Sequence, residues 1–111
     1  MNLNGYIKLA RLSEIEMGHA KRCEIDNDTI LICHTSKGVY AVKNQCSHQM
    51  AELDGGKIKS CFIFCPLHGQ RFDLRDGSPI GKLTNKPIQT YAVKTNGDDI
   101  FVNLTESALQ D

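Results

Sequence analysis

Two short segments of the 111-residue sequence each pair one cysteine with one histidine. The first is Cys46-Ser47-His48, and the second, Cys65-Pro66-Leu67-His68, follows after sixteen further residues. Thiolate and imidazole are soft-to-borderline donors that bind zinc, copper and iron. The proline fixes the backbone between the two donors of the second segment. The four donor side chains therefore form a complete ligand set for a metal centre.

The mixed pairing narrows the choice of metal without settling it. Structural zinc sites more often place like ligands together, as C-x₂₋₄-C followed by H-x₃₋₅-H. One cysteine and one histidine in each segment suit a two-metal cluster in which each loop gives one ligand to each metal. A single zinc ion could still be held by the same four atoms. From spacing alone, an iron–sulfur cluster and a structural zinc site both remain open.

The two segments, together with the residues after the second one, resemble the Rieske family. C-S-H and C-P-L-H-G, followed by R-F-D-L-R-D-G at positions 71–77, are similar to the family pattern C-x-H…C-x₂-H-G with its trailing F-D-x-x-x-G. The resemblance covers most of the chain and is greatest to the soluble ferredoxins of bacterial ring-hydroxylating oxygenases. It implies one [2Fe–2S] cluster per chain. It further implies that Cys46 and Cys65 bind an inner iron, and that His48 and His68 bind an outer iron near the surface.

Four positions depart from the respiratory members of that family. Those proteins carry an extra cysteine in each cluster loop, joined as a disulfide, and hydroxyl groups that hydrogen-bond to sulfur. The corresponding positions here are Ala51, Leu67, Gln70 and Phe72. Hydrogen bonds to sulfur stabilise the reduced cluster, so removing donors lowers the potential. We therefore expect a disulfide-free centre at the low end of the range for Rieske centres, about −150 to +300 mV.

Composition limits the partners of the chain. Thirteen Lys and Arg balance thirteen Asp and Glu, so no global charge attracts nucleic acid. No apolar run approaches the roughly 18 residues of a membrane span, and the first residues lack the apolar core of a signal peptide. Five cysteines, an odd number, argue against a disulfide scaffold. We expect a cytoplasmic monomer that contacts neither membrane nor nucleic acid.

The resemblance implies an electron carrier without catalytic residues of its own. It would carry one electron at a time from a flavin-dependent NAD(P)H reductase to a terminal ring-hydroxylating oxygenase, in aromatic hydrocarbon catabolism. The sequence contains no glycine motif for a flavin or NAD site. The alternative is a Rieske-like small subunit of another oxidoreductase, such as nitrite reductase. The complete ligand set weighs against it, because those subunits often lack ligands.

Short apolar and β-branched runs separated by turn residues predict an all-β fold. Strands are expected at residues 5–10, 21–25, 29–34, 39–43, 56–58, 61–65, 70–73, 90–95 and 100–104. Turns are expected at Asp26-Asn27-Asp28, Ser36-Lys37-Gly38 and Asn96-Gly97-Asp98, and one helical turn near residues 49–53. We predict a single Rieske domain over residues 1–111, a Rieske-like antiparallel β-sandwich or barrel. A small cluster-binding subdomain, about residues 44–81, is inserted between strands of the basal β domain.

The remaining cysteines lack a partner motif and are interpreted as small apolar core residues. They are Cys23, Cys33 and Cys61. Three charged residues near the second segment either pair to hold its loop or line a solvated strand face. They are Arg71, Asp73 and Arg75.

Overall fold

The computed structural model describes residues 5–25, 27–47, 51–66, 69–81 and 86–105. Within these ranges the chain forms ten strands and one short 3₁₀ helix, Leu12–Glu14. The strands are β1 Tyr6–Arg11, β2 His19–Ile25, β3 Asp28–Thr35, β4 Gly38–Lys43, β5 Ile58–Lys59, β6 Phe62–Phe64, β7 Arg71–Asp73, β8 Pro79–Ile80, β9 Thr90–Asn96 and β10 Asp99–Asn103. The described ranges include no helix of the length and apolarity that a membrane crossing requires.

Six of the strands form one antiparallel sheet in the order β1-β10-β9-β4-β3-β2. The sheet narrows at its centre, because β4 and β9 are paired only at Ala41↔Tyr91 and Val42↔Thr90. The two three-stranded halves on either side can therefore turn toward each other, as the two layers of a sandwich do.

Tight turns join the neighbouring strands of each half. Thr35 holds the β3–β4 turn, since its Oγ1 accepts hydrogen bonds from the Lys37 and Gly38 N–H groups at 3.0 and 3.1 Å. Gly97 holds the β9–β10 turn with a φ of 61°, a left-handed conformation that glycine adopts without a steric cost. Both turns confirm the sequence prediction; Asp26 of the predicted β2–β3 turn lies outside the described residues.

Alternate residues of β3 and β4 face two separate apolar cores. One face enters the base core, which consists of Ala10, Ile15, Ile30, Ile32, Ala41, Tyr91, Ile100 and Val102. The other face enters the insert core, which consists of Leu31, Cys33, Val42, Cys46, Leu53, Ile58, Ile63, Cys65, Phe72, Leu74 and Ile88. The two-residue period of a strand explains why neighbours such as Ile30 and Leu31 lie in different cores. The half-sheet β2-β3-β4 is thus the middle layer of the molecule.

The third layer is a four-stranded antiparallel sheet in the order β5-β6-β7-β8. Its inner face buries Ile58, Ile63 and Phe72 against the insert core. The chain leaves the large sheet at the end of β4 and returns at the start of β9, the strand that pairs with β4. These observations confirm the predicted all-β class, with a small sheet inserted between strands of a larger one.

The structure differs from the sequence prediction in several local elements. Strand β2 begins at His19 rather than at residue 21, and β5 begins at Ile58 rather than at residue 56. Strand β8 was not predicted, because it has only two residues, Pro79 and Ile80, and so shows no alternating pattern. The predicted helical turn near residues 49–53 is wrong for residues 51–53, which form no helix, and its other two residues lie outside the described part. The 3₁₀ helix at Leu12–Glu14 was not predicted; its start is fixed locally, because the Glu14 carboxylate accepts a hydrogen bond from the Arg11 N–H at 2.8 Å.

Candidate metal centre

Cys46 lies just after β4, in a loop that folds back on itself. Its backbone N–H donates to the Ala51 carbonyl at 2.6 Å, which closes the loop across the residues between them. The residue is fully buried and belongs to the insert core. The first predicted ligand is therefore held in the interior by its own loop.

Asn44 fixes the base of the same loop, a role that the sequence did not reveal. Its side-chain Oδ1 accepts hydrogen bonds from the N–H groups of Leu53 and Asp54, both at 2.8 Å. Its Nδ2 donates to the Glu52 carboxylate at 3.0 Å, and the Arg22 Nε donates to the same oxygen at 3.2 Å. A buried amide that satisfies two backbone donors joins both ends of the first ligand loop to strand β2.

Cys65 follows β6 and begins a second, shorter loop. Its N–H donates to the Gln70 carbonyl at 2.8 Å, and the Gly69 N–H donates back to the Cys65 carbonyl at 2.8 Å. Gly69 has a φ of 69°, so the chain reverses there without a side chain to obstruct it. Cys65 is 1% exposed, whereas Pro66 and Gly69 are exposed.

Side chains from the two loops bind carbonyl groups of β7, of β8 and of the segment before β9. The Gln70 side chain is 2% exposed, and its Nε2 donates to the carbonyls of Arg71 at 2.9 Å and Ile80 at 3.0 Å. In the first loop, the Ser47 Oγ donates to the Lys86 carbonyl at 2.5 Å. No local sequence pattern could have indicated the contacts with Ile80 and Lys86, because these partners lie ten and 39 residues away.

The structure brings two of the four predicted ligands into one core. Cys46 and Cys65 are both buried members of the insert core, and none of the five cysteines, all of which lie within the described residues, forms a disulfide. His48 and His68 lie outside the described residues. Two buried thiols among leucine, isoleucine and phenylalanine side chains fit an iron–sulfur centre, because a thiolate in such surroundings is costly unless a metal neutralises it.

The other cysteines are structural, as predicted. Cys33 lies on β3 with no exposed surface, and burial raises the pKa of its thiol to about 12. Cys61 is buried beside the turn before β6, and its carbonyl accepts a hydrogen bond from the Leu74 N–H at 2.7 Å. Burial also raises the pKa of Cys23. The thiols of Cys23 and Cys33 therefore remain protonated at neutral pH and are poor nucleophiles.

Asp73 and Arg75 form a two-pronged ion pair at the end of β7. The carboxylate accepts from the Arg75 Nε at 3.0 Å and from its Nη2 at 2.7 Å. These hydrogen bonds hold the pKa of Asp73 below its usual range. Of the two roles considered from the sequence, pairing is confirmed for this couple, whereas Arg71 contacts aromatic rings instead of a carboxylate.

A comparison with known families matches residues 5–92 to the Rieske [2Fe-2S] domain. The matched region contains both ligand loops, strands β1 to β8 and the first three residues of β9. The chain belongs to the Rieske family, and a domain of this family carries one [2Fe–2S] cluster.

Relatives and solved structures narrow the class further. The 3-phenylpropionate/cinnamic acid dioxygenase ferredoxin subunit of Escherichia coli K12 is 31% identical over 98 residues, which cover 86% of this chain and 91% of the relative. The solved ferredoxin of carbazole 1,9a-dioxygenase from Nocardioides aromaticivorans is 33% identical, with a TM-score of 0.80 over 87% of this chain and 95% of that one. Such ferredoxin components are electron carriers rather than catalytic enzymes.

More distant structures share the fold alone. One is the ferredoxin solved in complex with the oxygenase of carbazole 1,9a-dioxygenase, at 22% identity and a TM-score of 0.83, with coverage of 97% and 100%. Another, from Mycobacterium tuberculosis, is assigned as an NADH-dependent nitrite reductase small subunit, at 18% identity and a TM-score of 0.77, with coverage of 87% and 92%. The Rieske fold therefore occurs both in separate ferredoxins and in a subunit of a different oxidoreductase.

Proposed function

We propose that this chain is the ferredoxin component of a ring-hydroxylating oxygenase system. It accepts one electron at a time from a flavin-dependent NAD(P)H reductase and delivers it to a terminal oxygenase. The observation that carries the proposal is the pair of buried thiols, one in each tightly closed loop, in a chain of the Rieske family. When bound, the cluster supplies one-electron chemistry; the residues of the chain hold it, exclude water from its inner side and present its outer side to partners.

The proposed ligand set is Cys46 and Cys65 on the inner iron, with His48 and His68 on the outer iron. The burial of both cysteines supports the inner assignment. The exposure of Pro66 and Gly69, on either side of the segment that contains His68, supports an outer iron near the surface. Residues 44–81 are proposed as the cluster-binding subdomain, and the rest of the chain as the basal domain.

A low reduction potential is part of the proposal. Gln70 could offer hydrogen bonds to sulfur, but the two contacts of its amide nitrogen are with the backbone carbonyls of Arg71 and Ile80. Phe72 is fully buried and carries no hydroxyl group. With fewer donors near sulfur, the negative charge gained on reduction is less stabilised. A cytoplasmic location, a monomeric state and a role in aromatic hydrocarbon catabolism remain predictions.

The decisive experiment is anaerobic purification followed by metal and sulfide analysis, visible absorption and EPR spectroscopy. We expect two irons and two sulfides per chain, a visible spectrum that bleaches on reduction, and an EPR signal from the reduced protein only. A colourless protein with one zinc and no sulfide would contradict the proposal.

Partner assays then separate the proposal from its alternative. Reduction by a flavin-dependent reductase and reoxidation by a ring-hydroxylating oxygenase are expected of a mobile ferredoxin. Stable co-purification with a large nitrite-reducing subunit, without turnover of free protein, would favour the small-subunit alternative.

A further inference from the structure

The outer face of the four-stranded sheet combines aromatic and positively charged side chains. In the β6–β7 ladder Phe64 lies opposite Arg71, and in the β5–β6 ladder Lys59 lies opposite Phe62. Residues opposite each other in an antiparallel pair point to the same face. Their neighbours Ile58, Ile63 and Phe72 fill the inner face. We call Lys59, Phe62, Phe64 and Arg71 the outer patch.

Arg71 is held in place by the two rings. Its guanidinium carbon lies 5.4 Å from the centroid of Phe62 and 5.9 Å from that of Phe64, within the range of cation–π attraction. The rings are half-buried, and Arg71 itself is exposed. A guanidinium fixed in this way loses less conformational freedom when a partner binds, so its planar fork of donors is preorganised.

Within the part of the chain that the structure describes, no carboxylate pairs with the cations of the outer patch. Among the described residues, neither Lys59 nor Arg71 forms an ion pair, although six ion pairs of other Lys and Arg residues are present. Asp73 points to the same face, but both of its oxygens are bound to Arg75. The patch therefore presents uncompensated positive charge around an aromatic surface.

The outer patch also adjoins the second ligand loop. Phe64 immediately precedes Cys65, and Arg71 immediately follows Gln70, so both ends of the loop emerge from the patch. We propose that the outer patch is a docking surface for a redox partner protein whose electron-exchange face carries carboxylates. The inference rests on the proposed function and adds to it a surface and the charge of the partner.

Charge complementarity favours a partner protein that carries carboxylates. A carboxylate can accept two parallel hydrogen bonds from a guanidinium, a geometry that ammonium groups cannot offer. The aromatic rings beside it exclude water, which strengthens the contact. A patch of four residues suits the small, transient interfaces of electron-transfer complexes, in which charge mainly speeds encounter.

Two probes test the patch. In stopped-flow experiments the reduced holoprotein is mixed with plastocyanin, a blue-copper protein with an acidic face, over a range of salt concentrations. Arg71→Gln is expected to lower the second-order rate constant roughly fivefold at low salt and to flatten its salt dependence. In a separate NMR titration, hexaglutamate is expected to shift the Arg71 Nε–H signal of the wild-type protein.

Lys94 provides the matched control, because its Nζ lies 4.6 Å from the ring centroid of Tyr6 on the large sheet. Lys94→Gln should leave the rate constant, its salt dependence and the hexaglutamate shift unchanged. Equal effects of Arg71→Gln and Lys94→Gln, with an unchanged reduction potential, would overturn the proposal. If Arg71→Gln fails to assemble its cluster, Lys59→Gln replaces it, because that substitution leaves the ring contacts intact. Lys59→Gln should likewise lower the rate constant at low salt and flatten its salt dependence.

The two readouts also separate this inference from the proposed function. The hexaglutamate titration needs no electron transfer, so a protein that held zinc would still report on the patch. A holoprotein that exchanges electrons normally but shows no dependence on Arg71 or Lys59 would refute the patch alone.

Discussion

At the scale of single residues, most of the support for the ligand loops comes from side chains that bind no metal. Asn44 satisfies two backbone N–H groups of the first loop, and Gln70 connects the second loop to β8. Each of these amides is buried, so water cannot replace the lost partner when it is removed. Their substitution should therefore affect the centre even though they are not ligands.

Asn44→Ala is expected to cost about 2–4 kcal/mol of unfolding free energy, because it leaves two backbone donors without their acceptor. Local opening of the first loop should accelerate cluster loss about tenfold, the change that 1.4 kcal/mol produces. The measurement is the decay of visible absorbance under anaerobic chelator. Asn103→Ala is the control: Asn103 Oδ1 accepts similar bonds from Thr105, but on the large sheet. Equal rates of cluster loss in the two variants would contradict the role of Asn44.

Asp73→Asn is expected to destabilise the protein by about 1.5–3 kcal/mol at neutral pH, the range for hydrogen bonds to charged groups. Because the folded-state pKa of Asp73 is lowered, its contribution is complete above the unfolded value, near 3.9. It disappears as the pH falls through the folded-state pKa. Denaturation curves of wild type and variant should therefore differ by a constant amount above about pH 5 and converge in acid.

Asp76→Asn serves as the control for this pH profile. The Asp76 carboxylate accepts one hydrogen bond from the Ser78 N–H at 2.9 Å in the same turn, and an asparagine can replace that acceptor. Its stability should stay within about 0.5 kcal/mol of wild type. A gap between wild type and Asp73→Asn that persisted at pH 2 would show that the loss is not electrostatic.

The sequence reveals the ligand types but not the residues that position them. The metal-binding capacity of cysteine and histidine is a property of their side chains, so it can be read from the sequence alone. Asn44, Ser47 and Gln70 act through bonds to carbonyls and N–H groups of distant segments, so their role exists only once the chain is folded. The bidentate Asp73–Arg75 pair lies between these cases. Its two residues are only two positions apart in sequence, yet whether they pair or remain solvated depends on burial in the folded protein.

At the scale of elements, most strands were predictable from the sequence, including the short strands β6 and β7, whereas β8 was not. Strands β3, β4, β9 and β10 carry β-branched runs between turn residues, and the predicted limits agree with the observed ones to within one residue. Strand β8 has two residues, one of them proline, and exists because β7 offers it a partner. Tertiary pairing, rather than local preference, creates such an element.

Gly56 shows how closely the turn before β5 packs against β6. A Cβ atom on this glycine would lie 2.1 Å from the Phe64 carbonyl oxygen, a backbone atom that cannot move aside alone. Gly56→Ala should therefore cost about 3 kcal/mol or more and reduce the yield of assembled cluster. Denaturant unfolding and iron content are the measurements.

Gly55→Ala tests whether space or backbone conformation is decisive. Gly55 has a φ of 90° and nothing within 4 Å of an added Cβ, so its substitution should cost about 1–2 kcal/mol from backbone strain only. If both variants lost the same stability, the close approach of Gly56 to Phe64 would not be the cause.

At the scale of the whole molecule, two cores share one middle layer. The insert core contains Cys46 and Cys65, whereas the base core contains neither. Binding energy at the centre therefore stabilises the insert core directly and the base core only through β3 and β4.

Removal of the cluster should destabilise the insert core more than the base core. In a Cys46→Ser, Cys65→Ser double variant, amides of β5 to β8 should lose their protection from hydrogen exchange, because the insert core has lost the group around which it packs. Amides of β1, β9 and β10 should remain protected. Hydrogen exchange read by mass spectrometry distinguishes the segments. Uniform loss across all ten strands would show that the two cores fold as one cooperative unit.

The short pairing of β4 with β9 bears on how the inserted segment could move between proteins during evolution. Because the chain leaves and returns at adjacent strands, we expect that recombination at two points in a gene could transfer the segment between β4 and β9 into another sheet protein. A recipient must supply an apolar platform like that of Leu31, Cys33 and Val42, because those side chains belong to the host strands yet pack under the transplanted part. Spread of the centre by recombination would thus be limited mainly by the number of sheets that offer such an apolar face, and less by the ligand loops themselves.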